Sequence, residues 1–144
     1  MVQYIRDITF ILTLVLFSCQ PKQQVKNIDQ NSDQLNFDTF YQQSKQVSIG
    51  FDERLKNANL AYHEAQKAPI DSLVIKALLE KTKLHSKLKQ QDSAIYFSKV
   101  LLDLSIKSND SGRIGNAYYK LGLYNDRRRQ LDSAYIYYNE SKKI

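Results

Sequence analysis

The chain has 144 residues, of which 42% are hydrophobic and 25% charged, and its formal net charge is +6. This length suits one domain, and the presence of only four Gly and two Pro favours helices over a turn-rich β fold. The single cysteine excludes an internal disulfide and a multi-cysteine metal site. Because acidic residues are scattered among the basic ones, the positive charge indicates either a solvated basic surface or an acidic partner.

The first predicted element is a short apolar segment, ITFILTLVLF, at residues 8–17. A membrane-spanning helix needs about 20 apolar residues, so this segment is too short to cross a membrane comfortably. Its length is typical of the apolar part of a secretory signal peptide. The alternative is a buried helix of a cytosolic domain, but such a helix usually shows polar residues at helical spacing. We therefore predict a signal peptide over residues 1–18.

The segment ends in Leu16-Phe17-Ser18-Cys19, which resembles the lipobox of bacterial lipoproteins. The resemblance implies cleavage before Cys19 and attachment of a diacylglyceryl group to its thiol. Each buried acyl CH₂ contributes roughly 0.8 kcal/mol, so two or three chains form a durable anchor. Gln20, rather than Asp, follows the cysteine, and by the same resemblance this favours the periplasmic face of the outer membrane of a Gram-negative bacterium. The alternatives for Cys19 are a chance cysteine in a signal peptide and a buried free thiol.

A polar segment from Gln20 to Gln34 follows, rich in Gln, Asn and Asp. Because it cannot bury enough apolar surface to offset chain entropy, we predict a lipidated, disordered tether at residues 19–34. A folded domain is predicted over residues 35–144. Its first helix begins at Leu35, where apolar residues at helical spacing appear, and ends before Gly50.

Five further helices are predicted from helical spacing and from capping and turn residues. The second helix is capped by Asp52 and ends at Pro69, and the third starts at Asp71 and continues to about residue 89. The last three are predicted at about 92–108, 113–128 and from 132 onward, with a turn at 109–112. No segment has a clear strand pattern, so the predicted fold class is all-α.

An internal repeat relates these helices to one another. Residues 77–94, ALLEKTKLHSKLKQQDSA, align without a gap with residues 117–134, AYYKLGLYNDRRRQLDSA, at a spacing of 40. Each copy contains two amphipathic helices and a short polar turn, and neither copy can bury its apolar face alone. We therefore predict stacked antiparallel helix pairs, with the clearest units at 71–110 and 111–144.

The last unit contains Tyr118, Leu121-Gly122, Ala134 and Tyr138. At these residues the chain resembles the tetratricopeptide repeat (TPR) family, whose signature has aromatic, Leu-Gly, Ala and aromatic positions there. The resemblance covers roughly residues 51–144, is weaker before the last unit, and implies a short α-solenoid. Gly122 costs about 1 kcal/mol relative to Ala inside a helix. We therefore expect a neighbouring helix to approach it closely.

The resemblance also implies a peptide-binding groove, lined by the first helix of each unit. The side chains that would face it are Lys76, Leu79, Lys83, Lys87, Asn116, Tyr119, Leu123 and Arg127. This mixture of cations with apolar and aromatic groups would suit an extended peptide of acidic character. The alternative is that Tyr119 and Leu123 only pack helices together. The Lys and Asn clamp of chaperone-tail-binding TPR domains is not reproduced, so no chaperone partner is predicted.

No pattern of catalytic or metal-binding residues is evident. The two histidines, His63 and His85, form no HExxH motif and are predicted to be structural or on the surface. Neither a glycine-rich phosphate loop nor a G-x-S-x-G motif occurs, and no base is evident that would activate Cys19. We predict a non-enzymatic protein with no cofactor or metal, and a secreted lipoprotein would have no nucleic-acid partner.

Two functions remain open at this point. The first is a protein-interaction scaffold of the bacterial envelope, anchored by lipid. The second is the sensory input region of a longer signal-transduction protein, a sensor kinase or a transcriptional regulator. It is motivated by the residues from Tyr135 to Tyr138, which no following element covers, although a solenoid needs a polar terminal cap. Self-association through this last helix is a further alternative.

Overall fold

A computed structural model describes residues 26–67 and 71–144, and the predicted signal peptide, Cys19 and Pro69 lie outside these ranges. The described part is all-helical and contains no strand, which confirms the predicted fold class. Its six helices are α1 (Lys26–Lys45), α2 (Phe51–Lys67), α3 (Asp71–Lys87), α4 (Gln91–Lys107), α5 (Ser111–Arg127) and α6 (Leu131–Lys142).

Each helix packs against the next one along the chain, and α1 also contacts α3. The contacts between α5 and α6 show that paired helices are antiparallel. Near the start of α5 the Ser141 hydroxyl donates a hydrogen bond to the Gly115 carbonyl at 2.8 Å, whereas farther along Gly122 faces Tyr138. The architecture is therefore three antiparallel helix pairs stacked as a helical-repeat solenoid.

The apolar core consists of three clusters, each shared between consecutive pairs. The first surrounds Phe37 and joins α1 and α2 to α3. The second surrounds Leu78 and Leu101 and joins α3 and α4 to α5. The third surrounds Leu121 and Tyr124 and joins α4 to α5 and α6. Each pair thus buries its apolar face against its neighbour, as a unit too small to form a core alone requires.

The turns that follow α3, α4 and α5 share one backbone conformation. Their central residues, Lys89, Asn109 and Arg129, have φ angles of 61°, 51° and 62°. The next residue donates its N–H to a carbonyl five positions earlier, as Gln90 does to His85 at 2.9 Å. This arrangement is the Schellman C-cap, in which the left-handed position is usually Gly. Because each of these similar turns follows a 17-residue helix, they place the pairs in the register that the sequence repeat shows.

Replacing Lys89 or Arg129 by Gly is expected to raise the free energy of unfolding by about 0.5–1 kcal/mol. The left-handed conformation costs a residue with a Cβ about 1–2 kcal/mol, and the greater freedom of Gly in the unfolded chain offsets part of the gain. Urea denaturation followed by circular dichroism measures the change. Asn109→Gly is the matched control and should gain less, because Asn tolerates this conformation. Equal gains at all three positions would contradict the explanation.

Three predicted boundaries were wrong. The turn predicted at 109–112 is shorter, because Ser111 and Gly112 already belong to α5 and Asp110 caps this helix. Helix α1 begins at Lys26, ahead of Leu35, so residues 26–34 are helical rather than part of a disordered tether. Adding residues to an existing helix forms one hydrogen bond per residue and needs no new nucleus, so a polar segment can extend a helix whose packed part is anchored. Helix α2 begins at Phe51, which places Asp52 in the first turn instead of at the cap, where its charge still complements the helix dipole.

Candidate functional site

The predicted groove residues lie on α3 and α5, the first helices of the second and third pairs, and these two helices run side by side. A small cavity of about 20 Å³ lies between them, lined by Leu79 and Asn116 together with Ile75, Leu101 and Arg113. Farther along, the Arg127 guanidinium on α5 donates a hydrogen bond to the Ser86 hydroxyl on α3. These two contacts occur in the same order on both helices, so α3 and α5 are adjacent and parallel.

Most of the predicted groove residues are accessible. Six are exposed: Lys76, Lys83, Lys87, Asn116, Tyr119 and Arg127. The two leucines are half-buried, because Leu79 packs against the second core cluster and Leu123 against the third. The six exposed members are therefore accessible to a ligand, whereas both leucines also pack helices together.

Tyr119 lies on the side of α5 toward α6. The centroid of its ring is 5.8 Å from that of Tyr138. It lines a pocket of about 320 Å³, whose other residues are Ser111, Gly112, Gly115, Asn116, Ser141 and Ile144. Tyr119 thus borders the pocket between α5 and α6, and Asn116 is the residue that this pocket shares with the cavity between α3 and α5.

Lys120 lies next to Lys83 on the surface formed by α3 and α5, although it is not among the groove residues predicted from the sequence. It follows Asn116 by one helical turn and is half-buried. Burial lowers the pKa of Lys120, the neighbouring Lys83 ammonium lowers it further, and Glu80 opposes both effects. Within the described ranges, no carboxylate forms an ion pair with Lys120. The residue could have been found from its spacing to Asn116 and Arg127, since all three lie on one face of a helix.

A buried carboxylate, Glu80, lies beneath the surface that carries Lys83 and Lys120. Glu80 accepts a hydrogen bond from the Arg54 guanidinium at 3.3 Å and another from the Lys83 ammonium at 3.4 Å. The exposed fractions of Arg54 and Glu80 are only 7% and 6%. Because Arg54 neutralises Glu80, the exposed surface around Lys83 and Lys120 remains positively charged. The ion pair also links α2 to α3, and Arg54 further donates to the Ser44 carbonyl of α1 at 2.8 Å.

The opposite side of α3 carries a second group of charged and aromatic residues. The Lys81 ammonium lies 3.9 Å from the centre of the Phe97 ring and 4.8 Å from the centre of the Tyr62 ring. The His85 ring stacks on the same Phe97 at 5.3 Å between centroids. His85 is buried, whereas the other histidine, His63, is exposed.

The last helix exposes several large apolar side chains. The exposed fractions of Leu131, Tyr135 and Ile136 on α6 are 65%, 70% and 57%. This is the apolar surface on which the predicted self-association would depend. Self-association through α6 stays a prediction.

The described residues offer no group of three or more His, Cys, Asp or Glu side chains placed to hold a metal ion. In the same part of the chain, no helix combines the length and the apolar character needed to cross a membrane. Comparisons with models of protein families, with curated proteins and with solved structures found no match. Fold and surface together define an all-α helical-repeat protein with a basic face formed by α3 and α5.

Proposed function

We propose that this protein is a non-enzymatic interaction scaffold of the TPR type, which binds an acidic peptide segment across α3 and α5. The observation that carries the proposal is the row of cationic side chains on these two adjacent, parallel helices, namely Lys83, Lys87, Lys120 and Arg127. Arg54 and Lys83 both pair with the buried Glu80, so these three groups together leave one net positive charge next to Lys120. Carboxylates spaced along an extended peptide would complement the row.

The stacked pairs also support this kind of function. A solenoid presents the same face of successive helices along one side, which creates an extended binding surface without a deep pocket. Leu79 and Asn116 line the small cavity between α3 and α5, one helical turn before Lys83 and Lys120, where they would provide apolar and hydrogen-bonding contacts to a peptide. This combination favours a peptide backbone with alternating acidic and small or apolar side chains.

The location in the envelope rests on the sequence alone. We propose a signal peptide at residues 1–18 and a lipid on Cys19, which would hold the helical domain at the periplasmic face of the outer membrane. Both lie outside the described residues. The sensory input region of a longer signalling protein stays the alternative prediction, and it would use the same basic face for a different partner.

The groove is tested with a fluorescent peptide of alternating Glu and Gly residues, whose affinity is measured by anisotropy. Each of Lys83→Gln, Lys120→Gln and Arg127→Gln is expected to weaken binding about 2–5-fold, because each removes one accessible charge pair with the peptide. Added salt should weaken binding by the wild type more than binding by these variants.

The matched control is Lys99→Gln, which removes an exposed cation from α4 and leaves α3 and α5 unchanged. Its affinity should equal that of the wild type. If Lys99→Gln weakens binding as much as Lys120→Gln does, the peptide is responding to net charge alone and the groove assignment is wrong. No binding by the wild type at low salt would overturn the proposed function.

A further inference from the structure

His85 ties the end of α3 to the start of α4 through two hydrogen bonds. Its imidazole Nδ1 lies 2.7 Å from the Gln90 side-chain oxygen, and its backbone carbonyl accepts from the Gln90 N–H at 2.9 Å. Because the oxygen of Gln90 can only accept, Nδ1 carries the hydrogen and Nε2 is the unprotonated nitrogen of the neutral ring. The imidazole is thus part of the Schellman turn that joins these helices.

The other ring nitrogen has no partner. Nε2 of His85 is buried and forms no hydrogen bond with any residue of the described part of the chain. A proton on Nε2 would create a buried, charged N–H group without an acceptor, which a folded interior disfavours strongly. The closed joint therefore accommodates only the neutral imidazole.

The groups around His85 add to this preference. Burial lowers the pKa of His85 below its usual range, the Gln90 hydrogen bond raises it, and the Lys81 ammonium lowers it. Lys81 is the one charged group among the described residues with a resolved effect on this pKa. The Phe97 ring on α4 contacts both His85 and Lys81, and the Tyr62 ring on α2 contacts Lys81. Both rings are neutral.

Other charged groups near the α3–α4 joint do not neutralise the positive charge that a proton would add to His85. Asp92, at the start of α4, is paired with Arg128. From α5, the cationic Arg127 contacts the adjacent Ser86. No carboxylate of the described helices is thus available to stabilise an imidazolium, and Lys81 would place a second cation on the ring that His85 already covers.

The same helical turn carries part of the basic groove. Ser86 follows His85, accepts the hydrogen bond from Arg127, and exchanges two 3.4 Å hydrogen bonds with Gln91 at the start of α4. Lys87, the last residue of α3, is one of the exposed cations of the groove. Opening of the turn at His85 would therefore displace Ser86 and Lys87, which contribute to the groove.

We propose that the α3–α4 joint is an acid-sensitive latch on the basic groove: neutral His85 holds the last turn of α3 in place, and protonation of His85 releases it and weakens peptide binding. The effect on the peptide rests on the proposed function, whereas the opening of the joint does not. The equivalent position of the α5–α6 joint is Asn125, which donates to the Leu121 carbonyl at 2.7 Å and does not titrate. The latch is thus specific to the second helix pair.

The closed joint holds His85 in its neutral form, and this determines the direction of the pH effect. An opened joint takes up a proton at the ordinary histidine value of about 6.5, whereas the closed joint resists it. The closed state is therefore fully favoured above this value and loses stability as the pH falls below it. The loss can reach about tenfold in the opening equilibrium per pH unit.

Amide hydrogen exchange of the full chain, corrected for the intrinsic pH dependence of exchange, tests the joint at about pH 7.5 and about pH 5.5. In the wild type, protection of the Lys89 and Gln90 amides should fall at the lower pH. His85→Asn copies the Asn125 joint and should abolish the difference. His63→Asn removes the other, exposed histidine and should behave as the wild type. NMR titration of the His85 ring should give a midpoint below about 6.5.

The latch is overturned if His85→Asn keeps the same pH-dependent loss, or if the His85 ring titrates at or above about 6.5. The Glu-Gly peptide then tests the connection to the groove. Binding that weakens at the lower pH in the wild type and His63→Asn, but not in His85→Asn, supports the connection. Equal binding at both pH values despite amide opening overturns it. No binding at either pH overturns the proposed function and leaves the latch intact.

Discussion

Replacing Glu80 by Ala is expected to lower the free energy of unfolding by about 3–5 kcal/mol. The substitution leaves the Arg54 guanidinium, which is 7% exposed, without the carboxylate that neutralises it. A buried charge without a partner costs far more than the ion pair contributes when intact. Because Arg54 and Glu80 join the first helix pair to the second, the loss should appear as a lower midpoint in urea denaturation.

An exposed ion pair on the same helix as Arg54 gives the control. Glu53 lies 3.5 Å from Lys56, and both side chains are more than half exposed. Glu53→Ala should therefore cost less than about 1 kcal/mol. A loss for Glu80→Ala as small as that for Glu53→Ala would show that Arg54 reaches water when its partner is removed.

A variant without either buried charge distinguishes the stabilisation by the ion pair from the free-energy cost of burying its two charges. The double variant Arg54→Met, Glu80→Leu should recover most of the stability lost by Glu80→Ala, because apolar side chains of similar volume need no compensating charge. The Ser44 carbonyl loses its Arg54 donor in this variant, so recovery should be incomplete. A double variant less stable than Glu80→Ala would indicate that the pair itself holds the interface between the helix pairs.

Gly122→Ala is expected to destabilise the protein by about 1–2 kcal/mol, although Ala is the better helix former. An added Cβ would lie 2.6 Å from Cδ1 of the Tyr138 ring, closer than real Cβ contacts permit. Overpacking of this kind costs about 1–3 kcal/mol, which exceeds the gain of about 1 kcal/mol or less in helix propensity. Thermal and urea denaturation both measure the net effect.

Gly115 in the same helix is the matched control for this prediction. A methyl group added there would have Ile144 as its nearest neighbour at 3.7 Å, an ordinary contact distance. Gly115→Ala should therefore stabilise the protein by up to about 1 kcal/mol. In a Tyr138→Ala background, Gly122→Ala should become neutral or stabilising, and persistent destabilisation there would place its cause outside the Tyr138 contact.

Much of the fold could be predicted from local sequence. Apolar residues at helical spacing and the 40-residue repeat indicated helices, their pairing and their stacking, because each depends on residues close together in the chain. The close approach at Gly122 was also predicted correctly, since Gly in a strong helical pattern signals a neighbouring backbone or ring. The start of α1 was not, because polar composition alone does not distinguish a tether from a helix that extends an anchored one.

The candidate site was predicted less completely. Helical periodicity predicts a stripe of exposed side chains along each of α3 and α5. Lys83 belongs to the first and Arg127 to the second, and both are exposed as expected. Lys120 lies on the same stripe of α5 as Arg127. It has no place in the family signature, so the resemblance could not predict it as a groove residue. Tyr119 was placed in the groove, yet it borders the pocket toward Tyr138, because a residue at the edge of a helix face can pack to either side.

Local sequence was sufficient to specify the helices, their repeat and their polar and apolar faces, because these depend on hydrogen bonds and periodicities within one or two turns. Which charged groups meet depends instead on how the helix pairs stack. Arg54 finds Glu80, and Arg127 finds Ser86, across different helix pairs. Burial of His85 beside Lys81 likewise depends on how α4 places Phe97 over both. Burial and long-range pairing arise only when the pairs stack, so local sequence alone could not specify them.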